Sequence, residues 1–323
     1  MKIGILLTNT GSPSAPIPSA VRCYLQQFLF DKRIVALSRF FWLPLLYGII
    51  LPLRSRRSAK LYQTIWTQEG APLIVHMRRI QQQLAIKLNC PVEIGMHYGE
   101  PSIQDGIQHL KAASVETIIA LPLFPQYSDT TTAATEDRIK DAQRIYQTGS
   151  ILMPIKQYGT NPQYVSLLAK TVQQQWQQRN QAQHLLISFH GIPESSVAAG
   201  DPYANECAHT AQSLATYLNL KKDNWTLCYQ SRFGFTKWLT PSTFDVLATL
   251  PKQGITAVDI ICPGFSVDCL ETLEEIVMRG QTVFLQAGGK TLRYIPALNE
   301  RPEHIDLLAN MLCSACKEAG IVI

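Results

Sequence analysis

TAVDIICPGFSVDCLETLEEI, residues 256–276, sets a short β-branched run against an acidic, helix-like stretch, with Cys-Pro-Gly between them. The run 256–262 reads as a strand, and the stretch 268–279 reads as a helix. At about 100° per residue, Asp268, Glu271 and Glu275 fall within about 60° of one another. Leu270, Leu273, Ile276 and Val277 occupy the other side, and Glu274 stands apart. Spacing alone leaves two readings open. The acids form a solvated face that complements the positive end of the helix dipole, or they line a ligand site.

The same alternation recurs along the chain. Candidate strands lie at 3–8, 92–97, 117–122 and 151–155, then at 184–189, 226–229, 256–262 and 282–285. Candidate helices fill 18–30, 73–88, 102–113, 132–147, 162–179, 203–218, 241–250, 268–279 and 303–318. Short apolar runs between longer helix-like stretches indicate a parallel α/β class. Four strands followed by four suggest two similar halves, and LLTNTGSP (6–13) and LISFHGIP (186–193) repeat a G-x-P ending. The expected domains are 1–158 and 159–302, crossing within the turn-rich KQYGTNP (156–162). The helix at 303–323 is expected to pack back on the first half. Ligands of open parallel sheets bind beyond the carboxyl ends of the strands. That places Asn9, Thr10, His97, Tyr98, the stretch 123–128, His190, Gln230, Ser231, Asp268 and Glu271 at the expected sites.

Length and composition bound the rest. A chain of 323 residues suits two domains. An apolar fraction of 46% with net charge +5 argues against disorder and against a dedicated nucleic-acid binder. MKIGILLTNTGSP carries no secretory signal pattern. Eight cysteines without regular spacing fit a reducing cytoplasm, and the lone C-x-x-C at Cys313 and Cys316 offers little support for a metal centre. FFWLPLLYGIILPL (40–53) is uncharged and too short to span a bilayer, and Pro44 and Pro52 are expected to interrupt any helix. It reads as a buried core segment or as an apolar lip at a membrane surface, with Arg39, Arg54, Arg56 and Arg57 at the headgroups. A dinucleotide G-x-G-x-x-G, a complete P-loop around AGGKT (287–291), a G-x-S-x-G elbow and an H-E-x-x-H are all missing.

His190 closes the strand-like HLLISFH beside Gly191, whose missing side chain is expected to let the backbone turn sharply into a cleft. Alone it is equally readable as a capped core histidine. With Asp268 and Glu271 delivered to the same sheet edge, imidazole and carboxylates suit a borderline divalent ion such as Fe²⁺, and proton removal near neutral pH.

LLISFHGIP, CYQSRFG followed by Trp238, and CPGFSVDCLETLEEI resemble the signature blocks of ferrochelatase, the enzyme that inserts ferrous iron into a porphyrin. The resemblance extends through GILLTNTGSPSAP, QQFLFDKRIV, LPLRSRRSAKLY, LPLFPQYS and AGGKTLRYIPALN, nearest to the type of Gram-negative bacteria. It implies a chelatase-like fold: two similar Rossmann-type domains, each a four-stranded parallel sheet flanked by helices, with the porphyrin cleft between them. It also implies that His190 and Glu271 are the catalytic and metal-binding pair, with Asp268 and Glu275 relaying protons or metal. Thr10, Tyr98, Ser231 and Trp238 become candidate porphyrin contacts, and Arg54 or Arg57 a candidate partner for the propionates. The apolar segment 40–53 is similar to the lip that covers the porphyrin.

The implied activity is that of a lyase of haem biosynthesis, which places Fe²⁺ in protoporphyrin IX and releases two protons. The implied partners are protoporphyrin IX and ferrous iron, without nucleic acid, and the chain is expected to act as a monomer or weak dimer. The expected setting is the cytoplasm, with peripheral contact at the inner face of the membrane. Asp129 stands where many members place cysteine, and a [2Fe–2S] cluster takes four thiolates, so none is expected. His97 replaces a frequent arginine and Cys269 a histidine of some members. Two other readings remain: a porphyrin or haem carrier without chemistry, and a chelatase for another ring or metal, such as coproporphyrin, sirohydrochlorin or cobalt.

Overall fold

Eight strands, all in parallel pairs, form two sheets in the computed structural model, which describes residues 2–35, 37–146, 149–234 and 236–321. The first sheet contains β1 (Ile3–Ser12), β2 (Val92–Gly99), β3 (Thr117–Pro122) and β4 (Ser150–Leu152), in the order β2-β1-β3-β4. The second contains β5 (His184–His190), β6 (Trp225–Gln230), β7 (Ala257–Ile261) and β8 (Thr291–Ile295), ordered β6-β5-β7-β8. The two orders are the same, and the repeated segments LLTNTGSP and LISFHGIP start on the central strands β1 and β5 and run past their carboxyl ends. Both central strands are buried along most of their length, as parallel strands covered on two faces must be.

The chain divides into two compact units. One holds the chain up to Leu123, Asp129–Lys156 and the chain from Leu308 onward; the other holds Phe124–Ser128 and Gln157–Leu307. In the first, Leu6, Ile118 and Ala120 of the sheet pack against Ile103, Ile107 and Leu110 of helix Ile103–Ala112 and Ile139 and Ala142 of helix Thr132–Tyr146. In the second, Leu186, Val258 and Ile260 pack against Leu247, Ile276 and Phe284. A sheet face and an apolar helix stripe thus close each core.

Three expectations need correction. The run 282–285 (TVFL) is helical, within Gln281–Gln286, and the last strand is TLRYI (291–295). A short apolar run rich in β-branched residues suits either state; here it continues a preceding helix, and Gly288–Gly289 end it. The proline-containing lip is helical throughout, as Arg39–Leu45, a π-turn at Leu46–Ile50, and Leu51–Ile65. Pro52 falls in the first turn of the last piece, where a missing N–H costs little, and the wider π-turn before it relieves the ring's clash with the preceding carbonyls. The acidic helix is the third case. Glu271–Gly280 is a π-helix that continues as the α-helix Gln281–Gln286, and Asp268 lies before its start.

Candidate functional site

The order β6-β5-β7-β8 reverses direction between β5 and β7, and the carboxyl ends of these strands carry the chemistry of the second unit. His190 ends β5 and pairs in register with Gln230, which ends β6. The Cys262–Cys269 connection after β7 leads to the π-helix. Its Ile276 is fully buried and anchors one side of the helix on the sheet. Glu271 and Glu275, four residues apart, remain on a common side whether the turn is α or π.

His190 is half-buried, and its Nδ1 lies 2.7 Å from the Gly191 carbonyl. A carbonyl can only accept, so Nδ1 carries the hydrogen, and in the neutral ring Nε2 keeps its lone pair. Gly191 is needed for space rather than for an unusual backbone: a Cβ there would stand 2.9 Å from the Gln230 carbonyl and 3.3 Å from Trp238.

Gln230 and Ser231 hold the helix. The buried Gln230 donates from Nε2 to the Glu271 carbonyl at 2.7 Å, and its own oxygen accepts from Ser188 at 2.8 Å. Ser231 donates its N–H (2.8 Å) and its hydroxyl (2.5 Å) to the two oxygens of Glu275. It does so at φ +66°, a left-handed conformation uncommon for a non-glycine residue. Burial pushes the Glu275 carboxyl above its ordinary value, opposed by the Ser231 bonds and by Arg279 and His190. Glu274 takes no part, being paired with Arg279 Nε through both oxygens at 2.9 Å. Burial and the neighbouring Glu271 push the Cys269 thiol well up, and burial does the same to Cys262, so both stay neutral.

Asp268, expected as the third acid of the row, stands before the helix. Asp268 is buried, and its carboxylate accepts from Tyr294 (2.6 Å), Asn299 (2.7 Å) and Thr272 (2.8 Å). Tyr294, Asn299 and Thr272 were not legible as site residues, although YIPALN belonged to one of the resembling blocks. Trp238 is buried against Gly191, its Nε1 donating to the Phe233 carbonyl at 2.9 Å.

In the first unit, Thr10 is half-buried near the end of β1 and Arg54 half-buried on helix Leu51–Ile65. Tyr98, expected as a ligand contact, lies buried within the first unit. It is 2% exposed, donates to Asp31 at 2.9 Å, and packs against Tyr24, Phe28 and the Arg138 guanidinium. His97 is likewise buried, against Thr135 at 2.7 Å, and burial with the nearby Arg138 pushes its pKa down to about 3.

The second unit therefore presents an imidazole nitrogen with a free lone pair, the Glu271 carboxylate, and a clamped, buried Glu275. These groups can accept protons and offer nitrogen and oxygen donors to a divalent cation in transit. Among the described residues, no three His, Cys, Asp or Glu side chains form a set that could hold a metal ion.

A family model described as Ferrochelatase matches residues 2–316. The ferrochelatase of Vibrio cholerae serotype O1 is 48% identical over 315 residues, covering 98% of each chain. That of Aeromonas hydrophila is 46% identical over 317 residues, covering 97% of this chain and 98% of the relative. Among solved structures, SirB from Bacillus subtilis with Fe³⁺ matches at a TM-score of 0.60 and 14% identity, over 99% of this chain and 98% of that one. The sirohydrochlorin chelatase SirB from Bacillus subtilis subspecies spizizenii, in complex with cobalt, matches at 0.58 and 12%, over 98% and 97%. At such identities the likeness is one of fold: two four-stranded parallel sheets flanked by helices, as in chelatases.

Proposed function

The chain belongs to the ferrochelatase family, and from that premise we propose that it inserts ferrous iron into protoporphyrin IX, releasing two protons and yielding haem. The observation that carries the reading is the delivery of His190 and the Glu271 helix to one sheet edge through Gln230, which pairs in register with His190 and donates to the Glu271 carbonyl, while Gly191 sets the imidazole tautomer. Iron and porphyrin are both substrates here. For iron to gain four ring nitrogens, two pyrrole N–H protons must leave. His190 Nε2, with its lone pair directed away from the Gly191 bond, accepts a pyrrole proton or meets the incoming ion. Glu271 is the oxygen donor that shares this work, and Glu275 takes up a proton behind it. A carboxyl whose ionisation is opposed by burial and supported by Ser231 exchanges protons nearer neutrality than a solvated one. Ser231 has both polar groups committed to Glu275, so its contribution to porphyrin binding is indirect. Thr10, Trp238 and Arg54 remain proposed contacts for the ring and its propionates.

We propose further that the enzyme is cytoplasmic and acts as a monomer or weak dimer, with a peripheral membrane contact supported by the exposed lip. Phe40 is 82% and Phe41 75% exposed, with Leu45, Ile49 and Leu53 also exposed, and residues 32–68 contain no acid. Among the described residues no helix is long and apolar enough to cross a membrane. We propose no [2Fe–2S] cluster, because such a cluster takes four thiolates and the C-terminal segment offers only Cys313 and Cys316. Anaerobic titration of protoporphyrin IX and coproporphyrin, followed by Fe²⁺, tests the reaction. The expected result is a metalloporphyrin spectrum forming with turnover on protoporphyrin; tight binding without metal-dependent change would instead indicate a carrier.

A further inference from the structure

We propose that Thr272, Tyr294 and Asn299 are positioning residues, which fix Asp268 as the anchor of the π-helix and thereby set the place of Glu271. The inference rests on the reading of Glu271 as a catalytic group.

Asp268 stands three residues before Glu271, in the connection between β7 and the helix. One carboxylate oxygen accepts from the Tyr294 hydroxyl at 2.6 Å and the Thr272 hydroxyl at 2.8 Å; the other accepts from Asn299 Nδ2 at 2.7 Å. The Asn299 side chain also accepts the Asp268 N–H at 2.8 Å, so a single amide grips both the backbone and the carboxylate of that residue. Asn299 is itself fixed. Its N–H donates to the Ser266 carbonyl at 3.0 Å, its carbonyl accepts from His304 Nδ1 at 2.6 Å, and its φ of +48° holds a left-handed turn. Thr272 completes the ring, because its hydroxyl oxygen accepts the Cys269 N–H at 3.0 Å. Thr272 and His304 are fully buried, and Asp268 is 5% exposed.

A carboxylate with three donors at these distances in a dry setting is a strong joint and a poor shuttle, since releasing it would strand three donors. The joint matters because of where the helix begins. A π-helix is a rare conformation that persists only where its surroundings impose it, and its first turn here is the turn that carries Glu271. Three separate segments meet at Asp268: β8 through Tyr294, the following loop through Asn299, and the helix itself through Thr272. Loosening any of them frays that first turn. The second turn, held by Ile276 in the core and by Ser231 on Glu275, stays in place.

The test compares Thr272→Val, which keeps the shape and loses the hydroxyl, with Thr272→Ser, which keeps both bonds, and adds Tyr294→Phe. For each, anaerobic insertion of Fe²⁺ or Zn²⁺ into protoporphyrin IX gives kcat and KM, and hydrogen exchange is followed across residues 269–276. For Thr272→Val the expected result is a kcat lower by roughly tenfold or more, the worth of one charge-assisted hydrogen bond, with the porphyrin KM little changed. Exchange should rise in the first turn only. Thr272→Ser should restore both readouts, and Tyr294→Phe should fall between. Unaltered exchange at Leu270–Glu275 in folded Thr272→Val would overturn the inference, as would equal losses in Thr272→Val and Thr272→Ser. An inactive wild-type protein would sink the assigned reaction, while the exchange comparison would still decide the anchor.

Discussion

His304 makes acid-lability a measurable property of the unit that carries the site. Its ring is 0% exposed, Nδ1–H donates to the Asn299 carbonyl at 2.6 Å, and Nε2 has no partner. Protonation would place a second N–H, and a charge, where nothing accepts it. Burial accordingly pushes the pKa down to about 4 from 6.5, against the opposing pull of the Asn299 bond. The unfolded chain therefore binds the proton first. This contribution to stability is fully present above pH 6.5 and is lost as pH falls to about 4. Each unit corresponds to about 1.4 kcal/mol, so near pH 4.5 the loss reaches about 2.5 kcal/mol. His304→Gln keeps a donor for Asn299 and removes the titration. Urea unfolding at pH 7.5 and 4.5, followed through Trp176, Trp225 and Trp238 with Trp42 and Trp66 replaced by Phe in both proteins, isolates the term. Any fixed cost of the substitution cancels between the two pH values. The wild-type protein should lose about 2.5 kcal/mol more than the variant. Equal losses in both would refute the reasoning, because the protonated ring would then have found water or an acceptor.

Other outcomes follow from the same geometry. Arg293→Met should cost about 3–5 kcal/mol in urea unfolding: it strips the Nε (2.6 Å) and Nη2 (2.9 Å) donors from the fully buried Asp259 and leaves only Trp176 at 2.7 Å. Gly191→Ala should lower stability by about 1–3 kcal/mol and displace His190, since the Gln230 carbonyl facing the new methyl is backbone and cannot swing aside; thermal unfolding and insertion rate both report it. Glu275→Gln should stabilise the protein at neutral pH while slowing insertion. The raised pKa makes ionisation of Glu275 costly, so wild-type stability declines as pH rises past 4.5, and the advantage of the variant should vanish toward pH 4 in parallel denaturation curves.

Much of the architecture was readable because parallel strands and their helices impose distinct periods. β1, β3 and β5 announced themselves as apolar runs, and helices such as Pro18–Phe30 and Pro162–Arg179 lie where the pattern placed them. The failures have physical causes. TVFL lacks the length that separates strand from helix, and the fit of Pro52 depended on a π-turn that no residue pattern signals. Strand-end logic brought His190 and the acids to one edge, because connection and sheet order follow from alternation. It could not show that Asp268 is gripped by Asn299, thirty-one residues onward, or that Tyr98 is sealed beneath Arg138. Periodicity tells which way a residue faces; the partner it meets there comes from distant segments.

The central claim is that His190 and Glu271 perform metal insertion rather than merely shape the second unit. Single-turnover insertion of Fe²⁺ into bound protoporphyrin IX, under anaerobic conditions, tests it most directly in wild type, His190→Ala and Glu271→Gln. The account predicts porphyrin binding retained in all three, and insertion slowed by about two orders of magnitude or more in both variants, the scale of a lost general base. Wild-type insertion rates in both variants would contradict it.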